Sequence, residues 1–160
     1  MRGAMPEIRF YHLQRQPVEQ ALPRLLEKVL QAGHKALVKV PDKGLAETLD
    51  RALWIYDPGS FLPHARAGGD HDADQPVLLT TDDDNPADAD VLVLIDGTAS
   101  PDIERYDRTL YMFDGRNPDI VEAARTHWRD FKAAGLAMSY WQQGERGGWQ
   151  QVRQVAGSGS

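Results

Sequence analysis

The chain has 160 residues, a length that suits one domain with a sizeable hydrophobic core. It contains no cysteine, which excludes disulfides, thiolate metal sites and cysteine nucleophiles. Its formal net charge of −6 argues against direct DNA binding as the main task, because proteins with that task carry a basic footprint. No apolar run approaches the roughly 20 residues of a membrane-spanning helix, and no apolar signal core opens the chain. We therefore expect a cytoplasmic protein that makes no contact with a membrane.

The first half of the chain alternates between strand-like and helix-like patterns. Glu7–Leu13 alternates apolar and polar residues, which predicts a strand. Pro17–Ala32 carries leucines and valines at helical spacing, and Pro23 within it is a point at which the helix could begin or kink. His34–Val40 predicts a second strand, and Asp42–Trp54 predicts a second helix.

Short apolar segments in the second half predict further strands, at Pro76–Thr80, Val91–Ile95, Thr109–Phe113, Ala137–Gln142 and Gly148–Val155. We expect the last of these to be an edge strand from which Trp149 and Val152 pack back on the body. Pro118–Ala134 predicts a long helix. The Gly- and Asp-rich segment Arg66–Asp74 predicts a mobile loop.

Strands that alternate with helices predict a three-layer α/β/α fold with a parallel or mixed central sheet. We place one domain at residues 5–155, and we interpret residues 1–4 and 156–160 as flexible ends or residues left from cloning. The fold class is Rossmann-like, but the first strand is followed by His12–Gln16, without G-x-G-x-x-G or G-x-x-x-x-G-K-[ST]. The sequence therefore predicts no phosphate-binding loop and no cofactor. A small nucleotide- or phosphate-binding enzyme of the same fold class is the alternative function.

The ionisable residues show no catalytic or metal-binding spacing. The carboxylates of residues 70–84 crowd predicted loops, which favours a solvated charge run over a Mg²⁺ site. None of the five histidines has H-E-x-x-H or similar spacing. His127 falls on the inward stripe of the last helix, where a packed histidine is expected, and His64 after Pro63 could cap or orient a loop. We predict no catalytic residue and no metal ligand.

The last predicted helix has an apolar stripe and a basic flank. The stripe consists of Ile120, Ala124, His127, Phe131 and Ala134. The flank beside it consists of Arg125, Trp128, Arg129 and Lys132. A tryptophan among three cations is typical of an anchor for a ligand with a carboxylate and an apolar end. The alternative is a solvated helix face with one tryptophan.

The segment Leu49–His64 contains two aromatic residues that admit the same two interpretations. Trp54 ends the second predicted helix, and Phe61 follows the turn after it. Both side chains could belong to the core and anchor the loop. Both could instead form the apolar floor of a pocket.

In these two segments the chain resembles the chi subunit family of bacterial DNA polymerase III. The matching motifs also extend along the rest of the chain. They are FYHL (Phe10–Leu13), AGHKALV (Ala32–Val38), ALW…SFLPH (Ala52–His64), QPVLLT (Gln75–Thr80), ADVLVLIDG (Ala89–Gly97) and AR..W..FK..G (Ala124–Gly135). The resemblance covers roughly Met5 to Gln143.

The resemblance implies a non-catalytic adaptor within the DNA-directed DNA polymerase III holoenzyme. It implies binding to the acidic, Phe-terminated tail of single-stranded DNA-binding protein (SSB), and to the psi subunit or another component of the clamp loader. DNA would then be contacted only indirectly. Matched onto this chain, the tail site of the family implies Trp54, Phe61, Arg125, Trp128 and Arg129. Lys132 joins this predicted set from the basic helix flank.

The chain departs from the family pattern in three places. Trp128 stands where a tyrosine is usual, and Val121 stands where some members have a lysine, which removes one cation. The segment Gly144–Val155 extends beyond the end of some members.

Overall fold

A mostly parallel sheet of eight strands forms the centre of the fold in the computed structural model, which describes residues 7–56, 63–101, 103–144 and 148–155. The strands are β1 (Glu7–Leu13), β2 (Ala36–Lys39), β3 (Ala65–Arg66), β4 (Val77–Thr80), β5 (Val91–Ile95), β6 (Arg108–Asp114), β7 (Ala137–Gln143) and β8 (Trp149–Val155). Their order across the sheet is β3-β4-β2-β5-β6-β1-β7-β8. Only the β7–β8 pair is antiparallel among the described strands.

Three α-helices connect the described strands: α1 (Val18–Gln31), α2 (Lys43–Ile55) and α3 (Pro118–Ala133). Two of them begin at side chains that accept hydrogen bonds from otherwise unpaired backbone N–H groups. Asp42 accepts from the N–H of Leu45 at 2.8 Å. Asn117 accepts from the N–H of Asp119 at 3.0 Å. The predicted helices are thus confirmed to within about two residues at each end, which is the usual uncertainty of a helix boundary.

Helix α1 runs through Pro23 and does not begin there. A proline inside a helix removes one hydrogen bond and costs about 3 kcal/mol. In α1 Pro23 is buried, together with Leu22 and Leu26. Burial of this apolar face offsets the lost hydrogen bond, so the helix begins at Val18 instead.

The helices cover both faces of the sheet and form two cores. On β5, Val91, Val93 and Ile95 pack in the core under α1 and α2. Leu92 and Leu94 pack in the second core, under α3. All five side chains are buried, which explains why this strand reads as a continuous apolar run. The predicted three-layer α/β fold is confirmed.

The segment predicted as a loop at residues 66–74 contains more regular structure than expected. Arg66 ends strand β3, and Asp72–Asp74 forms a turn of 3₁₀ helix. The Asp72 carboxylate accepts hydrogen bonds from the N–H groups of Gly68 at 2.8 Å and Gly69 at 3.1 Å. An aspartate that bonds the backbone of its own turn is a local device that composition alone does not reveal.

β8 lies at the edge of the sheet, as predicted, but only one of the two side chains expected to pack on the body does so. Trp149 packs edge-on against Tyr11, with ring centroids 4.9 Å apart. Val152 does not pack back on the body, and 52% of its surface is exposed. The β7–β8 register shifts by one residue near this position, which alters the direction of the side chains that follow. Among the described residues, no helix is long and apolar enough to cross a membrane.

Candidate functional site

A surface cavity of about 460 Å³ lies beside α3 at the β7–β8 end of the sheet. We call it the α3 pocket. Helix α3 contributes Val121, Arg125, Trp128 and Arg129 to its lining. Its volume lies within the roughly 300–1,000 Å³ of typical ligand pockets. The structure therefore brings three of the predicted site residues, Arg125, Trp128 and Arg129, to one cavity.

The aromatic floor of the α3 pocket continues into the core. The Trp128 ring meets Phe10 edge-on, with centroids 5.1 Å apart, and Tyr140 edge-on at 5.6 Å. Phe10 is fully buried and stacks on Tyr111 at 4.5 Å. Neither an exposed anchor nor a solvated helix face describes Trp128 in full, because one side of its ring packs in the core. Core packing holds the ring in place, and its other side lines the pocket.

Tyr140 on β7 forms another wall of the pocket, and His12 holds it from behind. The Tyr140 hydroxyl lies 2.7 Å from Nδ1 of His12. A side chain at Gly115 would collide with the imidazole, since a Cβ there would lie 1.9 Å from Nε2 of His12. Burial lowers the pKa of His12, and the charge of Arg125 lowers it further. Burial raises the pKa of Tyr140. Both shifts favour the neutral forms of the two groups at pH 7.

The rim of the pocket is cationic and solvent-exposed. Arg125 and Arg129 are both exposed on α3, one turn apart. Glu122 lies 3.9 Å from Arg125 Nη1 and 3.8 Å from Arg129 Nη2. Exposed ion pairs of this kind contribute little to stability, so the two guanidinium groups can exchange Glu122 for a ligand carboxylate at small cost. Lys132 is exposed in the last turn of α3, outside the pocket lining.

The packed histidine predicted on α3 is confirmed. Nδ1 of His127 lies 2.5 Å from the Tyr111 hydroxyl, and its ring stacks on Phe131. Burial lowers the pKa of His127, which favours the neutral imidazole at pH 7. Within the described ranges, no group of three or more His, Asp or Glu side chains is placed to hold a metal ion.

Trp54 lies on a different surface from the α3 pocket. Its helix, α2, packs through Ala46, Leu49 and Leu53 in the core on the opposite face of the sheet. The indole is 58% exposed, and neighbouring Ile55 is 74% exposed. We call these two residues the α2 patch. The structure therefore does not unite Trp54 with the α3 residues, as the predicted single site required. Phe61, also predicted for the site, lies outside the described residues.

His64 fixes the position of the α2 patch relative to the edge of the sheet. It directly precedes β3, is buried, and places Nε2 3.0 Å from Oδ1 of Asp50 on α2. Its ring centroid lies 4.8 Å from that of Trp54. These contacts join His64 to α2, and the predicted role of His64 in capping or orienting a loop stays a prediction, because residues 57–62 lie outside the described residues.

The pocket also includes residues from the last two strands that were not predicted for the site: Tyr140 on β7, and Val152 and Arg153 on β8. A right-handed crossover from β6 to β7 places α3 over these last strands, which is a signal that could have implicated Tyr140. No comparable signal exists for Val152 and Arg153, because their direction depends on the register shift in β8.

Fold and site together define an α/β protein with a surface pocket that pairs an aromatic floor with a cationic rim. A profile of the family described as "DNA polymerase III chi subunit, HolC" matches residues 5–139. The chain therefore belongs to the DNA polymerase III chi subunit family, and the predicted family is confirmed. Strand β8 lies beyond the matched residues.

Two curated relatives support this assignment. The protein described as "Probable DNA polymerase III subunit chi" from Rickettsia prowazekii is 32% identical over 94 residues, which cover 59% of this chain and 57% of that protein. The match thus spans less than two thirds of its length. The DNA polymerase III subunit chi of Pseudomonas aeruginosa is 27% identical over 119 residues, which cover 74% of this chain and 82% of that protein.

Proposed function

We propose that this chain is a non-catalytic, cytoplasmic adaptor of the DNA polymerase III holoenzyme that binds the acidic C-terminal tail of SSB in the α3 pocket. The observation that carries the proposal is the placement of Arg125 and Arg129 over the aromatic floor formed by Trp128 and Tyr140. An acidic peptide that ends in an aromatic residue with a free carboxylate complements both parts. DNA is contacted through SSB and not directly, consistent with the net charge of −6.

Each part of the tail has a counterpart in the pocket. Arg125 pairs with the terminal carboxylate, because a guanidinium binds a carboxylate through two charge-assisted hydrogen bonds. The terminal aromatic ring lies against Trp128 and Tyr140, where offset and edge-on ring contacts are favourable. Arg129 lies one turn further along α3 and meets an acidic residue that precedes the terminus.

An adaptor needs a second contact, and we assign it to the α2 patch. Trp54 and Ile55 are the exposed large apolar side chains of α2, and tryptophan is among the residues that most often dominate an interface. We propose that psi, or another clamp-loader component in its place, covers this patch. Since the patch and the α3 pocket lie on opposite faces of the sheet, both partners can bind at once.

The separation of the two surfaces predicts that Trp54→Ala leaves tail binding within twofold of the parent. The substitution should weaken the complex with the clamp-loader partner by more than tenfold, as expected for a tryptophan at the centre of an interface. Isothermal titration with a synthetic SSB tail peptide measures the first value, and titration with the purified partner measures the second. A loss of peptide binding comparable to that of a pocket variant would contradict the assignment of two surfaces.

A thermal-shift experiment separates the adaptor from the alternative enzyme. A ligand that binds only the folded chain stabilises it by mass action and so raises its melting temperature. At a ligand concentration of a hundred times Kd, the stabilisation is about 2.7 kcal/mol. We expect the tail peptide to raise the melting temperature and a panel of nucleotides to leave it unchanged. A shift with ATP or GTP, together with hydrolysis that survives re-purification, would favour the enzyme instead.

A further inference from the structure

Strand β8 changes the face of the sheet to which its side chains point. Tyr140 pairs with Arg153, whereas the next residue, Trp141, pairs with Gln151. One step along β7 therefore corresponds to two steps along β8, and Val152 is the extra residue of a β-bulge. A bulge of this kind interrupts the alternation of side chains and redirects those that follow it.

The packing on either side of Val152 demonstrates this change. Trp149 packs in the core under α1 and α2, whereas Val155 packs in the core under α3. These residues are six positions apart, so an uninterrupted strand would point both to the same face. Gln151 also donates a hydrogen bond to the side chain of Gln154 at 3.2 Å, although residues three apart on a regular strand lie on opposite faces.

The bulge is what places Arg153 at the α3 pocket. Arg153 lies opposite Tyr140, and paired residues of an antiparallel ladder project to the same face. Without the extra residue, Arg153 would share the face of Trp149 and point away from α3. Val152 and Arg153 both line the pocket, although successive residues of a regular strand would not.

Arg153 is also the pocket cation best available to a ligand. Arg125 and Arg129 share Glu122 as an ion-pair partner. No acidic side chain in the described ranges forms an ion pair with Arg153. Its side chain is exposed on β8 and lines the same cavity as the two α3 arginines. A peptide in the pocket would therefore lie between cations from two elements.

We infer that Arg153, positioned by the bulge at Val152, is a specificity-determining residue that contacts the acidic side chains preceding the terminus of the bound peptide. This inference rests on the proposed function, since it assigns a further residue to the same pocket. β8 then adds a cation to the site from a strand outside the matched family region, residues 5–139.

The first test compares Arg153→Gln with Arg24→Gln, which removes an exposed charge from α1 on the other face of the sheet. Isothermal titration uses two synthetic tail peptides, one with its acidic residues and one with those residues replaced by amides, both ending in phenylalanine. R153Q should lower the affinity for the acidic peptide by about three- to fivefold, which is the effect expected for one exposed charge pair. It should also reduce the salt dependence of binding. R24Q should bind the acidic peptide with the affinity of the parent. R153Q and the parent should bind the amide peptide with the same affinity.

A second pair of variants tests the direction of the side chains without removing a cation. Val152→Asp places a carboxylate at the pocket, and Gln154→Asp places one on the opposite face of the same exposed strand. V152D should lower the affinity for the acidic peptide severalfold, because the new carboxylate repels the acidic residues of the peptide. Q154D should leave this affinity unchanged.

The outcomes separate this inference from the function on which it rests. If the parent binds the acidic peptide and Arg125→Ala weakens it, but R153Q and V152D bind like the parent, the role of Arg153 is refuted and the proposed function stands. If the parent binds neither peptide, the proposed function fails, and this inference fails with it.

Discussion

Arg125→Ala is expected to weaken binding of the SSB tail peptide by more than tenfold, a loss of about 2–5 kcal/mol, while the chain remains folded. Removal of one partner of a hydrogen-bonded charge pair that becomes buried on binding costs this much, because the other charge is left unpaired. Arg125 is exposed, and among the described residues its one ion pair is a 3.9 Å contact with Glu122, so the fold should tolerate its loss. Isothermal titration measures the affinity, and circular dichroism checks the fold.

Glu122→Gln is a matched control with the opposite expected sign. The Glu122 carboxylate lies within 4 Å of both Arg125 and Arg129 and competes with an acidic ligand for them. Its neutralisation should tighten peptide binding slightly, by the modest amount typical of exposed ion pairs. If R125A binds as tightly as the parent, or if E122Q weakens binding as R125A does, the carboxylate is not held where we place it.

Phe10→Ala is expected to lower the free energy of unfolding by about 3–5 kcal/mol, the range for truncation of a buried phenylalanine. Phe10 is fully buried at the centre of an aromatic cluster, stacked on Tyr111 at 4.5 Å and in edge contact with Trp128 at 5.1 Å. The cavity would also leave one side of the Trp128 ring without support. Urea denaturation followed by circular dichroism gives the free energy, and peptide titration below the transition gives the affinity.

Phe10→Leu provides the graded comparison, because it leaves part of the volume filled. The smaller cavity should give a smaller loss of stability, and peptide binding should fall less than in F10A. A loss below about 1 kcal/mol in F10A would show that the cluster does not hold the pocket floor. So would unchanged peptide affinity in F10A.

The strands with the clearest patterns were predictable from the sequence. β1 and β5 have the predicted ends, because alternation in Glu7–Leu13 and a continuous apolar run in Val91–Ile95 reflect directly how each strand is buried. The α3 stripe was predictable in the same way at Ala124, which is buried. The partial burial of Trp128 was harder to predict, because a helical wheel gives the direction of a side chain but not which residues it meets. In the structure the Trp128 ring contacts Phe10 and Tyr140.

The composition of the site was predictable only within one helix. Arg125 and Arg129 follow from spacing along α3, but Trp54 depends on which face of the sheet α2 covers, and a motif does not encode that choice. Arg153 depends on one extra residue in a strand pair. A β-bulge has no reliable signature in a sequence such as Trp149–Val155, where its effect is to exchange the faces of the residues beyond it.

The four tryptophans offer the most direct test of the central claim, that the SSB tail binds in the α3 pocket. Each indole N–H gives its own resonance in a ¹⁵N-labelled sample, and the chain has tryptophans at positions 54, 128, 141 and 149. On titration with the tail peptide, we predict that the Trp128 indole resonance shifts with saturation while that of Trp54 stays in place. A shift of Trp54 with Trp128 unchanged would contradict this account, and so would no shift of any tryptophan at saturating peptide.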